Sequence, residues 1–110
     1  MKRRDWYCED VLSGKINVNK IWEDDRVFVF HHPTPSAKRH AVIIPKQHIS
    51  SIMDPMAIDG DLLASMVIGV QKAAVEMGIN QTGFFVETNA INPGVTPHMH
   101  WHIKSFESKL

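Results

Sequence analysis

A chain of 110 residues suffices for one domain around one hydrophobic core. Its twelve Lys and Arg balance twelve Asp and Glu, so no basic field is present to draw a nucleic acid or an anionic membrane. No apolar run is long enough to span a bilayer or to serve as a signal peptide, and the lone cysteine, Cys8, excludes an internal disulfide; a free thiol fits the reducing cytoplasm.

From the start of the chain, Asp5 can cap a short helix running to about Leu12, with Gly14 ending it. Residues 20–24 and 26–32 alternate as two strands around a tight turn at Asp24-Asp25, which predicts a hairpin. Pro33 and Pro35 make 33–39 a loop. The apolar run from His40 to Pro45 reads as a third strand buried on both faces. Over 54–78, Leu62, Leu63, Met66, Val67, Val70, Ala73, Ala74 and Met77 recur at helical spacing, with Asp59 or Asp61 as cap or first-turn acid and Gly78 as the stop. Residues 84–89 form a fourth strand, Asn92-Pro93-Gly94 a turn, and the chain ends on Pro97-His98-Met99-His100-Trp101-His102-Ile103. These elements predict one α+β domain over 1–110, an antiparallel sheet of about five strands with one long helix packed on one face.

The seven histidines fall in two groups, four within 31–48 and three within 98–102. In an extended strand His98, His100 and His102 share one face, roughly 6.6 Å apart, and Met99, Trp101 and Ile103 share the other. A solvated strand face explains so strict an alternation poorly. A metal is a second reading, since imidazole is a common zinc ligand, but three ligands in a straight row suit a tetrahedral ion badly. The third reading is phosphoryl chemistry: an uncharged imidazole attacks phosphorus, and its neighbours fix its tautomer, stabilise the oxyanion and supply a proton.

His98-Met99-His100-Trp101-His102-Ile103 resembles the His-φ-His-φ-His-φ-φ signature of the histidine triad family, with Lys104 in the last apolar place. Trp22 to Phe30 and His40 to Ile49 resemble the first half of its nucleotide-binding (Hint) branch, and the helix and Asn89 follow in the same order. The resemblance covers about 5–106. It implies a HIT-like fold and a nucleotidyl-histidine formed on His100. His98 and His102 would orient the nucleophile and contact phosphate or leaving group, and His40 would join them as proton partner. It further implies phosphate contacts from Asn89, Gly94 and Thr96, a ribose contact at His32 (where relatives carry Asp), and a base pocket around Trp6, Tyr7, Phe30 and Pro33. Val95 stands where relatives often have glutamine. Many bacterial relatives hold a structural zinc on Cys-x-x-Cys and two histidines; here Asp5, Cys8, His48 and His98 would be a degraded form of it. The reaction itself needs no cofactor.

The resulting expectation is a cytoplasmic homodimeric hydrolase of nucleoside 5′-phosphoramidates or related nucleotidyl compounds, with a purine nucleotide or nucleotidyl substrate as its partner and neither nucleic acid nor membrane. The alternatives are a nucleotide-binding regulatory module with little turnover, or a metal-dependent site.

Overall fold

The computed structural model describes residues 5–91 and 96–107. The predicted hairpin is present as β1 (Lys20–Glu23) and β2 (Val27–His31), and β3 spans His40–Pro45. The long helix, α1 (Gly60–Glu76), is preceded by a 3-10 turn at Pro55–Ile58; β4 (Phe84–Thr88) and β5 (Trp101–Ser105) complete the chain order. A short π-wound helix, Tyr7–Leu12, opens the described segment. All neighbouring strands are antiparallel, in the order β1-β2-β3-β5-β4. Gly94, Val95 and the turn signal at Asn92-Pro93-Gly94 lie outside the described residues.

Local chemistry accounts for these boundaries. The Asp24 carboxylate accepts the Arg26 and Val27 N–H groups at 2.8 Å each and so closes the hairpin turn. Asp59 caps α1 by accepting the Asp61 N–H at 3.0 Å, and Gly78, with φ +73°, ends the helix in a left-handed conformation that glycine adopts without strain. Gly69 lets α1 lie close against the sheet. A Cβ there would lie 3.0 Å from a Val29 methyl and 3.2 Å from an Ile43 methyl.

The sheet separates two apolar layers. On the α1 side Val27, Val29, Ala41, Ile43, Met99 and Ile103 pack against Leu62, Met66, Val70, Ala73 and Ala74. On the other side Phe30, Val42 and Ile44 meet Tyr7 and Val11 of the N-terminal helix. β3 is buried along its whole length because both layers use it. No helix among the described residues is long and apolar enough to cross a membrane.

One expectation needs correction. The histidine row is not one continuous strand: β5 begins at Trp101, and His98 and His100 precede it in irregular backbone. The Met99 N–H, which a regular strand would offer to a neighbour, bonds instead to the Ile49 carbonyl in the loop after β3. The alternation nevertheless persists. Met99 and Ile103 enter the α1 layer, and the three imidazoles lie on the opposite side, with ring contacts that link them.

Candidate active site

The two histidine groups of the sequence meet at β3 and β5, because these strands are sheet neighbours and their register sets His40 beside Lys104 and Val42 beside His102. The His40 and His102 nitrogens lie 2.8 Å apart. His100 and His102 meet edge to face with ring centroids 5.0 Å apart, and His32 stacks on His40 at 4.3 Å. The row is not a solvated face: His98, His40 and His100 are 0%, 5% and 4% exposed. The N-terminal helix is the cover, with the Tyr7 ring 4.9 Å from that of His100 and 5.9 Å from that of His98.

Backbone groups set the tautomers. His100 Nδ1–H donates to the His98 carbonyl at 2.7 Å, which leaves a lone pair on His100 Nε2. The Thr88 hydroxyl donates to the His100 carbonyl at 2.8 Å and fixes the same residue from β4. His40 Nδ1 accepts the Ser36 N–H at 3.1 Å, so its proton sits on Nε2 and is donated to His102 Nδ1; His102 therefore carries its proton on Nε2. His32 Nδ1 accepts the Thr34 N–H at 3.0 Å and also carries Nε2–H.

The electrostatics agree with uncharged rings. Burial holds His100 below the ordinary imidazole range. Burial, then the positive charges that His32, His102 and Lys104 can carry, lowers His40 to about 3. Burial, then His100 and Lys104, lowers His102 to about 4. Between the ordinary 6.5 and these values the unfolded chain binds protons that the folded chain refuses. The stabilisation is therefore fully present above pH 6.5 and is lost as pH falls toward 4. Urea-unfolding midpoints measured from pH 7.5 down to 4.5 should decline, and decline less in a His40→Gln/His102→Gln protein; parallel declines would contradict this origin.

A second cluster lies behind the row. Asp5 Oδ2 is 2.6 Å from His48 Nδ1 and 3.0 Å from His98 Nδ1, and Cys8 Sγ is 3.2 Å from His98 Nδ1 and 3.7 Å from His48 Nδ1. His98 donates Nε2–H to the Pro45 carbonyl at 2.8 Å, so its Nδ1 faces a carboxylate oxygen and a sulfur and needs a proton or a metal ion between them. Such a convergence of electron pairs calls for a cation. One carboxylate, one sulfur and two imidazoles fit zinc, which would pin His98 and the N-terminal helix together. Burial raises the Cys8 thiol to about 11, with Asp5 and Glu9 adding to it, the direction that a bound cation reverses. Burial acts to raise the Asp5 carboxyl too, but the Cys8 N–H and His98 outweigh it and hold it below the usual carboxylate range.

His32, His40 and His102 also offer nitrogens within 4.8 Å of one another, but they fit a metal poorly. A metal on His40 Nε2 would move the proton to Nδ1, against the Ser36 N–H. In this second group His40 and His102 are hydrogen-bonded and His32 stacks on His40.

The remaining expected residues are placed unequally. Asn89 is exposed, one residue past β4, next to Thr88 and its bond to the His100 carbonyl. Thr96 is half-buried, and its carbonyl accepts the His98 N–H at 2.8 Å. Trp6 is half-buried and Pro33 exposed, whereas Phe30 is fully buried beneath Trp6 and Tyr7. The part of Tyr7 as a cover on the row, and those of the Ser36 N–H, the Pro45 carbonyl and Lys104, have no signature in the sequence. They depend on which backbone groups the folded chain brings beside each ring.

Comparison with known proteins agrees with this geometry. The family model described as scavenger mRNA decapping enzyme C-terminal binding matches residues 5–110. An uncharacterized HIT-like protein of Helicobacter pylori is 36% identical over 99 residues, covering 88% of this chain and 92% of that protein. A histidine triad protein from Clostridium difficile superposes with a TM-score of 0.81 at 33% identity, over 98% of this chain and 96% of that one. A HIT family hydrolase from Legionella pneumophila gives 0.81 at 30%, over 93% and 92%. With four antiparallel strand pairs, the covered imidazole row and these likenesses in hand, the chain belongs to the histidine triad family.

Proposed function

We propose that the protein is a metal-independent hydrolase of nucleoside 5′-phosphoramidates or related nucleotidyl compounds, acting through a covalent nucleotidyl-histidine on His100. The observation that carries this is the His100 tautomer. Nδ1–H is committed to the His98 carbonyl, the ring is kept neutral by burial, and the lone pair on Nε2 is left for attack. His100 Nε2 bonds to the α-phosphorus, and the phosphorus–nitrogen bond breaks with its electron pair passing to the leaving amine. The amine takes its proton from the His40–His102 pair, whose protonated form the arriving phosphoryl anion favours. Water then attacks the nucleotidyl-histidine, returns a proton to the pair and releases the nucleoside monophosphate.

Two neighbours support the class. One is described as a HIT family hydrolase, and another, from Candida albicans, as a histidine triad nucleotide-binding protein, with a TM-score of 0.72 at 27% identity over 94% of this chain. Trp6, Pro33 and His32 are the side chains we assign to base and sugar, and Asn89, Gly94 and Thr96 to phosphate. Rapid quenching with an adenosine 5′-phosphoramidate should trap an acid-labile adduct on His100. Turnover without any adduct would exclude this mechanism, and binding without turnover would leave a regulatory module.

We further assign a homodimer of 1–110 domains, built on the free edge of β4 and the exposed apolar residues Val67, Val75 and Val86. Light scattering should give twice the chain mass, and Val67→Glu with Val75→Glu should give the single-chain mass.

A further inference from the structure

We propose that the Lys104 end of the imidazole row is an anion subsite, which takes a negatively charged substituent of the substrate beyond the reacting phosphoryl group. This rests on the nucleotide reading above. The alternation of β5 places Trp101 and Ile103 against the α1 layer, so His102 and Lys104 belong to the reaction face. The register aligns His40, Lys104 and Phe85 across β3, β5 and β4, one pleat beyond Val42, His102 and Glu87. A cation thus follows the last imidazole, where the family signature has an apolar residue. Its field lowers His32, His40 and His102 together, as expected of an ammonium set over that face.

The surroundings favour an anion. His40 and His102 are uncharged, and His32 offers an Nε2–H donor because Thr34 occupies its Nδ1. Next to His40 a groove of about 360 Å³ is lined by His32, Lys38, Arg39 and His40 together with Glu76 and Met77 at the end of α1; Lys104 is its neighbour across the β3–β5 register and not part of its lining. The opposing charge at Lys104 is Glu87, which pairs with it from the edge strand. The Glu87 side chain is 45% exposed and the Lys104 side chain 17%, so a substrate anion competes with a carboxylate that water already screens. A phosphate on the sugar and a charged leaving group share this chemistry, and the test separates them.

Titration calorimetry of the full chain with AMP, ADP and adenosine 3′,5′-bisphosphate reads the subsite without turnover. The native protein should bind one of the two diphosphorylated ligands about tenfold more tightly than AMP. ADP as the favoured ligand assigns the leaving-group side, and the 3′,5′-bisphosphate the sugar side. Lys104→Met should bring the ratio near one, Lys104→Arg should keep it, and Glu87→Gln should widen it. A merely structural ion pair would not move the ratio in opposite directions for Lys104→Met and Glu87→Gln. A native ratio near one, or a ratio unchanged by Lys104→Met, overturns the proposal. If no adenine nucleotide binds but pyrophosphate binds in a Lys104-dependent way, the subsite stands and the nucleotide reading falls. If neither binds, both fall.

Discussion

Replacing His100 with alanine should lower kcat/KM for an adenosine 5′-phosphoramidate by about a thousandfold or more and abolish the trapped adduct. The size of the effect follows from what the structure invests in this one ring. Its Nδ1–H is bound to the His98 carbonyl at 2.7 Å, its own carbonyl is held by Thr88, and the Tyr7 ring covers it. Burial holds it below the ordinary imidazole range, which favours the neutral ring with its free lone pair at pH 7. No neighbour substitutes for it. His102 Nδ1 is occupied by His40 Nε2–H, and His98 turns Nε2 to Pro45 and Nδ1 to Asp5. His100→Ala removes a ring that is 4% exposed, so its fold is checked by circular dichroism and by its affinity for AMP. A folded His100→Ala protein that keeps the native rate would remove His100 from the mechanism. By contrast, His102→Gln should lower the rate while still allowing the adduct to form, because that substitution disturbs the proton and leaves the nucleophile in place.

The parts of this molecule that were legible in the sequence are those fixed by periodicity and by turn chemistry. Asp24 at the hairpin, Asp59 and Gly78 at the ends of α1, and the doubly buried run from His40 to Pro45 each follow a local rule that the tertiary structure does not override. The pairing of His40 with the row was legible only through the family resemblance, since no local pattern ties residue 40 to residue 102. β5 starts later than the alternation suggests, because alternation persists where the strand ladder does not: Met99 keeps its inward direction while bonding to Ile49.

The imidazole tautomers lay beyond the sequence altogether. They are written by the Ser36 N–H, the Thr34 N–H and the carbonyls of Pro45 and His98, backbone groups whose kind does not depend on the side chain. Lys104 was visible as a departure from the signature, but its direction became meaningful only when the register set it beside His40. Tyr7 and Phe30 carry a related lesson. Aromatic residues suit a base pocket and a core equally well, and here both rings are buried in the layer between the N-terminal helix and the sheet, with one face of Tyr7 against the His100 ring.

The second large effect is expected at His98, and it concerns stability first. The ring is fully buried and connects three parts of the fold: Nε2–H reaches Pro45 at the end of β3, Nδ1 reaches Asp5 and Cys8 at the N-terminal helix, and the backbone carbonyl holds His100. His98→Ala opens a cavity of ring size, strips the Pro45 carbonyl of its donor and leaves the Asp5 carboxylate with only His48 and the Cys8 N–H. Comparable losses amount to about 3–5 kcal/mol, to be read from urea denaturation at pH 7. Were the loss below about 1 kcal/mol, His98 would not be the strut described here. The effect should also be coupled: Asp5→Asn and His98→Ala together should cost less than their sum, because the first already breaks the contact that the second removes. Zinc gives the independent readout. If the Asp5–Cys8–His48–His98 donors hold it, native protein contains the metal, strong chelation lowers its melting temperature, and His98→Ala protein neither contains the metal nor responds to chelation. Native protein that is metal-free and indifferent to chelation would assign the cation between Asp5 and His98 to a proton, and leave the strut to hydrogen bonding alone.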